Sequence, residues 1–290
     1  MAAPAAFLRL ARPKQWAKNV LVVAAPGAAG VLQQPGNLGR TALAFVAFSA
    51  AASGTYAWND ALDVEADRSH PTKCNRPVAS GAVPVGAAKV FGTVLLIGAV
   101  LLAFAVSRAL GYTVSAYAVL TVLYSVRLKH EPVLDLATVA AGFVLRAVGG
   151  GAACGVRIST WFLIVAAAGS LFIVTGKRSA EVTLVGSGTT GTRKALAGYT
   201  AEYLRFVRSV ASAVAIVAYC LWAFEFSKTT GEPLWFELSI VPFVLALLRY
   251  ALLLEHGEGG APEDLLFADV VLVLIGLAWV ATFTIAVYFS

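Results

Sequence analysis

The sequence predicts an all-α, polytopic membrane protein with about nine transmembrane helices. The mean hydropathy is +0.79, and long apolar runs recur through all 290 residues. A helix needs about 20 mostly apolar residues to cross the hydrocarbon core, and only helices and closed barrels satisfy their backbone hydrogen bonds in lipid. The predicted spans cover residues 17–32, 40–58, 87–107, 110–127, 132–150, 159–176, 207–226, 234–254 and 266–288.

The positive charges predict the orientation of these spans. With the N-terminus in the cytoplasm, 17 of the 22 Lys and Arg residues fall on the cytoplasmic side. The positive-inside rule therefore predicts an N-in, C-out topology. It also accounts for the net charge of +6, so nucleic acid is not an expected partner.

The connections between spans are short, which predicts a single transmembrane domain over residues 1–290. Two cytoplasmic connections stand out by length and charge, at about 59–86 and 177–206, and are predicted to form cap loops. The N-terminal stretch is not expected to be a cleaved signal, because no small-residue cleavage site follows a short apolar core.

The first cap loop begins with an acidic cluster, NDALDVEAD. On a helix continuing from the second span, Asn59, Asp63, Asp60 and Asp67 fall at roughly 0°, 40°, 100° and 80°, whereas Glu65 lies on the other side. Carboxylates on one helix face repel one another unless cations neutralise them. The competing interpretation is a solvated helix end.

An all-oxygen set of carboxylates and an amide suits Mg²⁺, which often bridges to substrate phosphates. Ionisable groups at a membrane boundary are costly, which favours a function for them. We therefore predict that Asp60, Asp63 and Asp67 are catalytic and that, with Asn59, they bind the metal.

Basic residues follow in the segment HPTKCNRP. Pro71 and Pro77 restrict the chain on either side of Lys73 and Arg76. Arginine suits bidentate phosphate contacts, and lysine acts as a point charge. The alternative is that both are ordinary positive-inside charges.

A second polar site is predicted at the end of the sixth span, in GKRSAE. Lys177, Arg178 and Glu181 fall at roughly 0°, 100° and 40° on a helix, within one arc. Two cations there predict direct binding of an anion, unless they merely flank the helix.

The fifth span carries charges at two depths. Asp135 lies in its first turn, and Arg146 lies roughly 16 Å further along the helix. An arginine at that depth must face an interior cavity or a partner. It is expected either to form a structural ion pair or to reach a lipid phosphate.

The pattern N-D-x-x-D-x-x-x-D, followed by the basic N-R-P segment, resembles the first motif of the UbiA superfamily of intramembrane prenyltransferases. The resemblance implies helices around a cytoplasm-facing cavity, with Mg²⁺ held on a pyrophosphate by Asn59, Asp60, Asp63 and Asp67. Members that act on aromatic acceptors usually carry a second aspartate-rich motif, where this chain has GKRSAE.

RPKQWAKN, YSVRLK, the aspartate after PVL and GKRxxE together resemble the branch formed by actinobacterial decaprenyl-phosphate phosphoribosyltransferases. The resemblance implies transfer of 5-phosphoribose from phosphoribosyl pyrophosphate to a polyprenyl phosphate, in cell-wall arabinogalactan synthesis at the bacterial inner membrane. A homo-oligomer is left open. The predicted substrate-binding residues are Lys18, Tyr56, Lys73, Arg76, Tyr124, Lys129, Asp135, Arg146, Lys177, Arg178 and Glu181.

On this interpretation the pyrophosphate binds at residues 59–67, helped by Lys73 and Arg76. The 5-phosphate binds at Lys177 and Arg178, with Lys18 and Lys129 as helpers. Two alternatives are weighed against it. One is transfer of a prenyl group to an aromatic acceptor, and the other is a lipid transporter or flippase, which would spread its charges through the bilayer.

Overall fold

The computed structural model describes residues 4–186, 198–230, 233–256, 265 and 268–289, and within these ranges it is helical, without a β-strand. The α-helices are α1 (Pro4–Ala11), α2 (Ala24–Ala28), α3 (Asn37–Leu62), α4 (Val64–Arg68), α5 (Val85–Val106), α6 (Arg108–Val126), α7 (Leu134–Cys154), α8 (Thr160–Gly186), α9 (Ala201–Thr230), α10 (Pro233–Leu238), α11 (Ile240–Glu255) and α12 (Val270–Tyr288). Short 3-10 segments cover Pro13–Val23, Lys73–Asn75 and Leu128–His130.

Seven stretches within the described ranges are long and apolar enough to cross a membrane. They lie in α5, α6, α7, α8 and α9, in α10 with α11, and in α12. The all-α, multi-span class is thus confirmed, whereas the count of nine and the orientation stay predictions. Helix α3 contains the second predicted span in its 26 residues, but it is less apolar because Ala, Gly, Ser and Thr make up much of it.

The first predicted span, 17–32, is built differently from a single α-helix. An 11-residue 3-10 segment, Pro13–Val23, leads into the short helix α2. Such long 3-10 runs are uncommon. Side chains bond this one to α3, because Asn19 Nδ2 donates to Ser49 Oγ at 3.0 Å and Trp16 Nε1 donates to Ser53 Oγ at 3.0 Å.

Both predicted cap loops contain more helix than expected. In the first, α3 runs on to Leu62, α4 follows directly, and α5 begins at Val85. In the second, α8 continues to Gly186 and α9 begins at Ala201. Residues 187–197 of that loop lie outside the described residues.

The chain divides into two compact units. The first unit comprises residues 1–27, 31–129 and 145–157, and the second comprises 28–30, 130–144 and 158–290. The single domain stays a prediction. In the first unit α3 packs against α5 and α6 around buried Phe48, Leu110, Val114 and Tyr117.

Helices α3 and α5 meet through two glycines. A Cβ added to Gly54 would lie 2.7 Å from the carbonyl oxygen of Gly92, and one added to Gly92 would lie 2.8 Å from that of Gly54. Small residues allow helix backbones to approach closely in membranes. The two backbones are therefore in direct contact at this point.

In the second unit α8 packs against α9, and α11 packs against α12. Asp269 caps α12 by accepting the backbone N–H of Leu272 at 2.7 Å, and Arg249 Nη2 donates to its Oδ2 at 2.7 Å. The Arg249 hydrogen bond and the helix N–H lower the pKa of Asp269. The capping carboxylate therefore remains ionised at neutral pH.

Candidate active site

The acidic cluster lies where α3 gives way to α4, in the first unit. Asp63 interrupts the helix, with φ −95° and ψ 12°, so the predicted continuous helix is broken there. Its backbone N–H nevertheless donates to Asn59 O at 2.9 Å, and Asp67 N–H donates to Asp63 O at 2.8 Å. The turn is therefore preserved. Asp60 and Asp67 are buried, whereas Glu65 is exposed.

Each of the three aspartates is paired with a cation. Arg76 Nη1 lies 2.7 Å from Asp67 Oδ2 and 3.2 Å from Asp60 Oδ1. Lys129 Nζ donates to both oxygens of Asp63, at 3.0 and 2.9 Å. The structure thus brings five of the predicted residues together: Asp60, Asp63, Asp67, Arg76 and Lys129.

Sequence reasoning missed Arg12 as a member of this cluster. Its Nη2 lies 2.5 Å from Asp60 Oδ1, and its guanidinium carbon lies 4.8 Å from the centre of the Tyr56 ring. The Arg12 backbone is left-handed, with φ 53°, which is uncommon for a residue with a side chain. The sequence offered one clue, an Arg-Pro step between a short apolar helix and the next segment.

These residues fit a divalent cation together with a polyphosphate. Asp60 is only 1% exposed, and among the described residues its Oδ2 has no hydrogen-bond partner. A buried carboxylate oxygen left without a partner is costly. The described residues do not contain a group of three acidic, His or Cys side chains already placed to hold a metal. Instead, three carboxylates are neutralised by three cations, and both sets can exchange partners, the carboxylates for Mg²⁺ and the cations for phosphate oxygens.

In the second unit, Arg178 of α8 is enclosed by carboxylates. Its Nε and Nη2 donate to Asp135 Oδ2 and Oδ1 at 2.6 and 2.8 Å, and its Nη1 donates to Glu181 Oε2 at 2.6 Å. Arg178 and Asp135 are almost completely buried, and Lys177 is half-buried on the same helix. The predicted residues Asp135, Arg178 and Glu181 therefore form one network that joins α7 to α8.

Removing the Asp135 carboxylate is expected to destabilise the protein by about 3–5 kcal/mol, because it leaves the buried Arg178 charge without its bidentate partner. Asp135→Ala should therefore lower the apparent Tm of the purified protein in detergent. The control is Glu181→Ala. Because Glu181 is partly exposed, its ion pair with Arg178 contributes less to the free energy of unfolding. Equal shifts for the two variants would contradict this ranking.

Arg146 lies in a separate buried network of the first unit. Its Nε donates to Asn19 Oδ1 at 2.6 Å and its Nη2 donates to Tyr117 Oη at 2.7 Å. Its guanidinium carbon lies 4.7 Å from the centre of the Tyr117 ring. Asn19 is fully buried and was not predicted. Arg146 therefore connects α7 and α6 to the 3-10 segment, and its role towards substrate stays a prediction.

The remaining predicted residues, Lys18, Asn59, Lys73 and Tyr124, all belong to the first unit. Lys18 Nζ donates to Gln15 Oε1 at 2.5 Å, and Asn59, Lys73 and Tyr124 are half-buried. In the loop after α4, His70 Nδ1 accepts the backbone N–H of Thr72 at 3.2 Å. Burial and the nearby Lys73 charge lower the pKa of His70, so this ring is neutral at pH 7.

Comparisons with known proteins identify the family of this chain. The model of the UbiA prenyltransferase family matches residues 20–273. The chain is 45% identical over 287 residues to the decaprenyl-phosphate phosphoribosyltransferase of Corynebacterium glutamicum, covering 97% of this chain and 86% of that protein. It is 42% identical over 290 residues to the protein of the same name from Mycobacterium tuberculosis, covering 99% and 95%.

Solved structures support the fold. A UbiA homologue from Archaeoglobus fulgidus bound to DMAPP and Mg²⁺ superimposes with a TM-score of 0.73 over 97% of both chains, at 17% identity. The same homologue bound to GPP and Mg²⁺ gives 0.73 over 98% of this chain and 100% of that chain, at 18% identity. The protein is thus a multi-pass membrane protein, and it belongs to the UbiA prenyltransferase family.

Proposed function

We propose that this protein transfers 5-phosphoribose from phosphoribosyl pyrophosphate to a polyprenyl phosphate, decaprenyl phosphate in particular, and releases pyrophosphate. The observation that carries the proposal is the identity of 42–45%, over nearly the whole chain, to two decaprenyl-phosphate phosphoribosyltransferases. The reaction is proposed to depend on Mg²⁺ and to occur on the cytoplasmic side of the bacterial inner membrane. Its product would serve cell-wall arabinogalactan synthesis.

The pyrophosphate end of the donor is assigned to the acidic cluster of the first unit. Asp60, Asp63 and Asp67, with Asn59, would hold Mg²⁺, which when bound stabilises the charge on the departing pyrophosphate. Arg12, Arg76 and Lys129 now neutralise the carboxylates. These cations would bind the phosphate oxygens of the donor, for which arginine offers a bidentate fork.

The 5-phosphate is assigned to Lys177 and Arg178 in the second unit. Arg178 already bonds two carboxylates, so a phosphate there would take the place of the partly exposed Glu181. Lys177 offers a point charge on the same helix. Lys177 is therefore the residue on which this assignment is best tested.

The proposed reaction needs little acid–base catalysis by the protein. Cleavage of the C1–O bond builds an oxocarbenium-like centre, as in glycoside transfer. The acceptor phosphate is already an anion, so no proton has to be removed from it. We therefore assign no general base, and the neutral His70 keeps no catalytic role.

The experiment that tests this function supplies purified protein with Mg²⁺, labelled phosphoribosyl pyrophosphate and polyprenyl phosphate. We expect labelled ribose phosphate on the lipid, release of pyrophosphate and loss of both on chelation. A parallel reaction contains a prenyl diphosphate and an aromatic acid. Prenylation of that acid in place of lipid ribosylation would contradict the proposal, as would lipid movement in proteoliposomes without any chemical change.

Replacing Lys177 with alanine is expected to raise KM for phosphoribosyl pyrophosphate about 10–100-fold, since a hydrogen bond to a charged group contributes roughly 1.5–3 kcal/mol. KM for the lipid should stay within about twofold, because the lipid phosphate is not assigned to Lys177. The control is Lys14→Ala, an exposed lysine outside the proposed site. Equal loss of affinity for both substrates would overturn the 5-phosphate assignment.

A further inference from the structure

The second unit contains an open cavity of about 370 Å³ that none of the steps above uses. It lies between the first turns of α9 and the last turns of α11, and one wall is formed by Phe172 of α8. Two arginines of α9, Arg205 and Arg208, line it, and Glu255 ends α11 beside them. The cavity therefore has a charged rim and an apolar wall.

The two arginines share one carboxylate. Arg205 Nη2 lies 3.6 Å from Glu255 Oε2, and Arg208 Nη2 donates to Glu255 Oε1. The cluster therefore carries one more positive than negative charge. The Arg208 side chain is only 8% exposed, whereas that of Glu255 is 46% exposed. A buried guanidinium that depends on a half-exposed carboxylate can exchange it for another anion, because the carboxylate gains hydration when it leaves.

The surroundings indicate which anion. Arg205 and Arg208 are three residues apart on α9, on neighbouring positions of one helix face, and they lie at the end of a stretch apolar enough to span a membrane. Basic residues at such ends attract the anionic headgroups of lipids. Guanidinium groups match phosphate geometry bidentately. Leu252 of α11 extends the apolar wall beside Phe172, which suits a hydrocarbon chain attached to that phosphate.

We propose that this cavity binds the phosphate group of an anionic membrane lipid, with Arg205 and Arg208 as its ligands and Glu255 as the group that the phosphate displaces. Two kinds of lipid carry this chemistry, a glycerophospholipid and a polyprenyl phosphate. The volume of the cavity is within the usual range for small-molecule sites. The Ser209 hydroxyl donates to the carbonyl oxygen of Arg205 at 3.0 Å. It is therefore a less important phosphate ligand than the two arginines.

Lipid binding to the purified full chain is measured by native mass spectrometry, in detergent without donor or Mg²⁺. The probes are phosphatidylglycerol, polyprenyl phosphate, diacylglycerol as the lipid without phosphate, and inorganic phosphate. Arg205→Gln combined with Arg208→Gln should weaken binding of at least one lipid phosphate about tenfold. Glu255→Gln should tighten the same binding about threefold, because the competing carboxylate is gone. A gain of affinity cannot arise from misfolding.

The matched control is Arg9→Gln combined with Arg127→Gln, which removes two exposed arginines of the first unit and should change binding less than twofold. Preference for phosphatidylglycerol would identify a bilayer lipid as the occupant, and preference for polyprenyl phosphate would identify the proposed acceptor. The proposal is overturned if Glu255→Gln weakens binding, if the double arginine variant binds like wild type, or if only inorganic phosphate binds. Because no transfer reaction is involved, its failure is distinguishable from failure of the proposed function.

Discussion

Asp63→Ala is expected to lower turnover at least about 10³-fold, which corresponds to roughly 4 kcal/mol of lost transition-state stabilisation. The substitution removes a proposed Mg²⁺ ligand and leaves Lys129 without the carboxylate that it now contacts through both oxygens. Asp63 is about one-third exposed, so the loss should appear in catalysis with little change in folding. Turnover is measured as labelled lipid product at saturating Mg²⁺.

The control for Asp63 is Glu65→Ala. Glu65 belongs to the same acidic run but is exposed, so its removal changes the net charge equally and should leave activity within about twofold. Raising the Mg²⁺ concentration should restore part of the activity of Asp63→Asn, which keeps one oxygen donor. Activity of Asp63→Ala at the wild-type level would remove Asp63 from the metal set.

Gly150→Ala is expected to be the most destabilising small substitution in the first unit. A Cβ at this position would overlap the carbonyl oxygen of Val22, so α7 and the 3-10 segment would have to separate. Overpacking typically costs about 1–3 kcal/mol. Here the contact is with backbone, which cannot rotate away, so we expect about 3 kcal/mol or more and a fall in apparent Tm of roughly 10 °C.

Gly98→Ala in α5 provides the comparison. Nothing lies within 4 Å of a Cβ added there, and alanine favours a helix over glycine by about 1 kcal/mol. This variant should therefore match or slightly exceed the wild type in thermal unfolding followed by size-exclusion chromatography. If Gly150→Ala unfolded at the same temperature as Gly98→Ala, the close approach of Val22 would be refuted.

The acidic cluster was predictable because helical periodicity is a local property. Asp60, Asp63 and Asp67 share one side of a turn that needs only the hydrogen bonds between successive residues, and this turn survives the break at Asp63. The apolar runs likewise predicted the long helices α5 to α9, since length and hydropathy are also local.

The cations that complete the cluster were harder to predict, because their partners lie far along the chain. Arg12 pairs with an aspartate 48 residues away, and its sequence context fits a positive-inside charge equally well. The 3-10 segment was hard to predict for the same reason. Asn19 Oδ1 accepts a hydrogen bond from Arg146, which lies 127 residues further along the chain. Neither contact leaves a periodic pattern in the sequence.

The contact between the backbones of α3 and α5 limits where the tail of the proposed polyprenyl phosphate substrate can pass. At Gly54 and Gly92, a single added carbon atom would collide with a peptide carbonyl oxygen. A hydrocarbon chain therefore cannot pass between α3 and α5 at this level. A lipid substrate that enters laterally from the bilayer would therefore have to pass between other helices. Larger residues in place of these two glycines would push α3 and α5 apart. They would not open a path that the native protein uses.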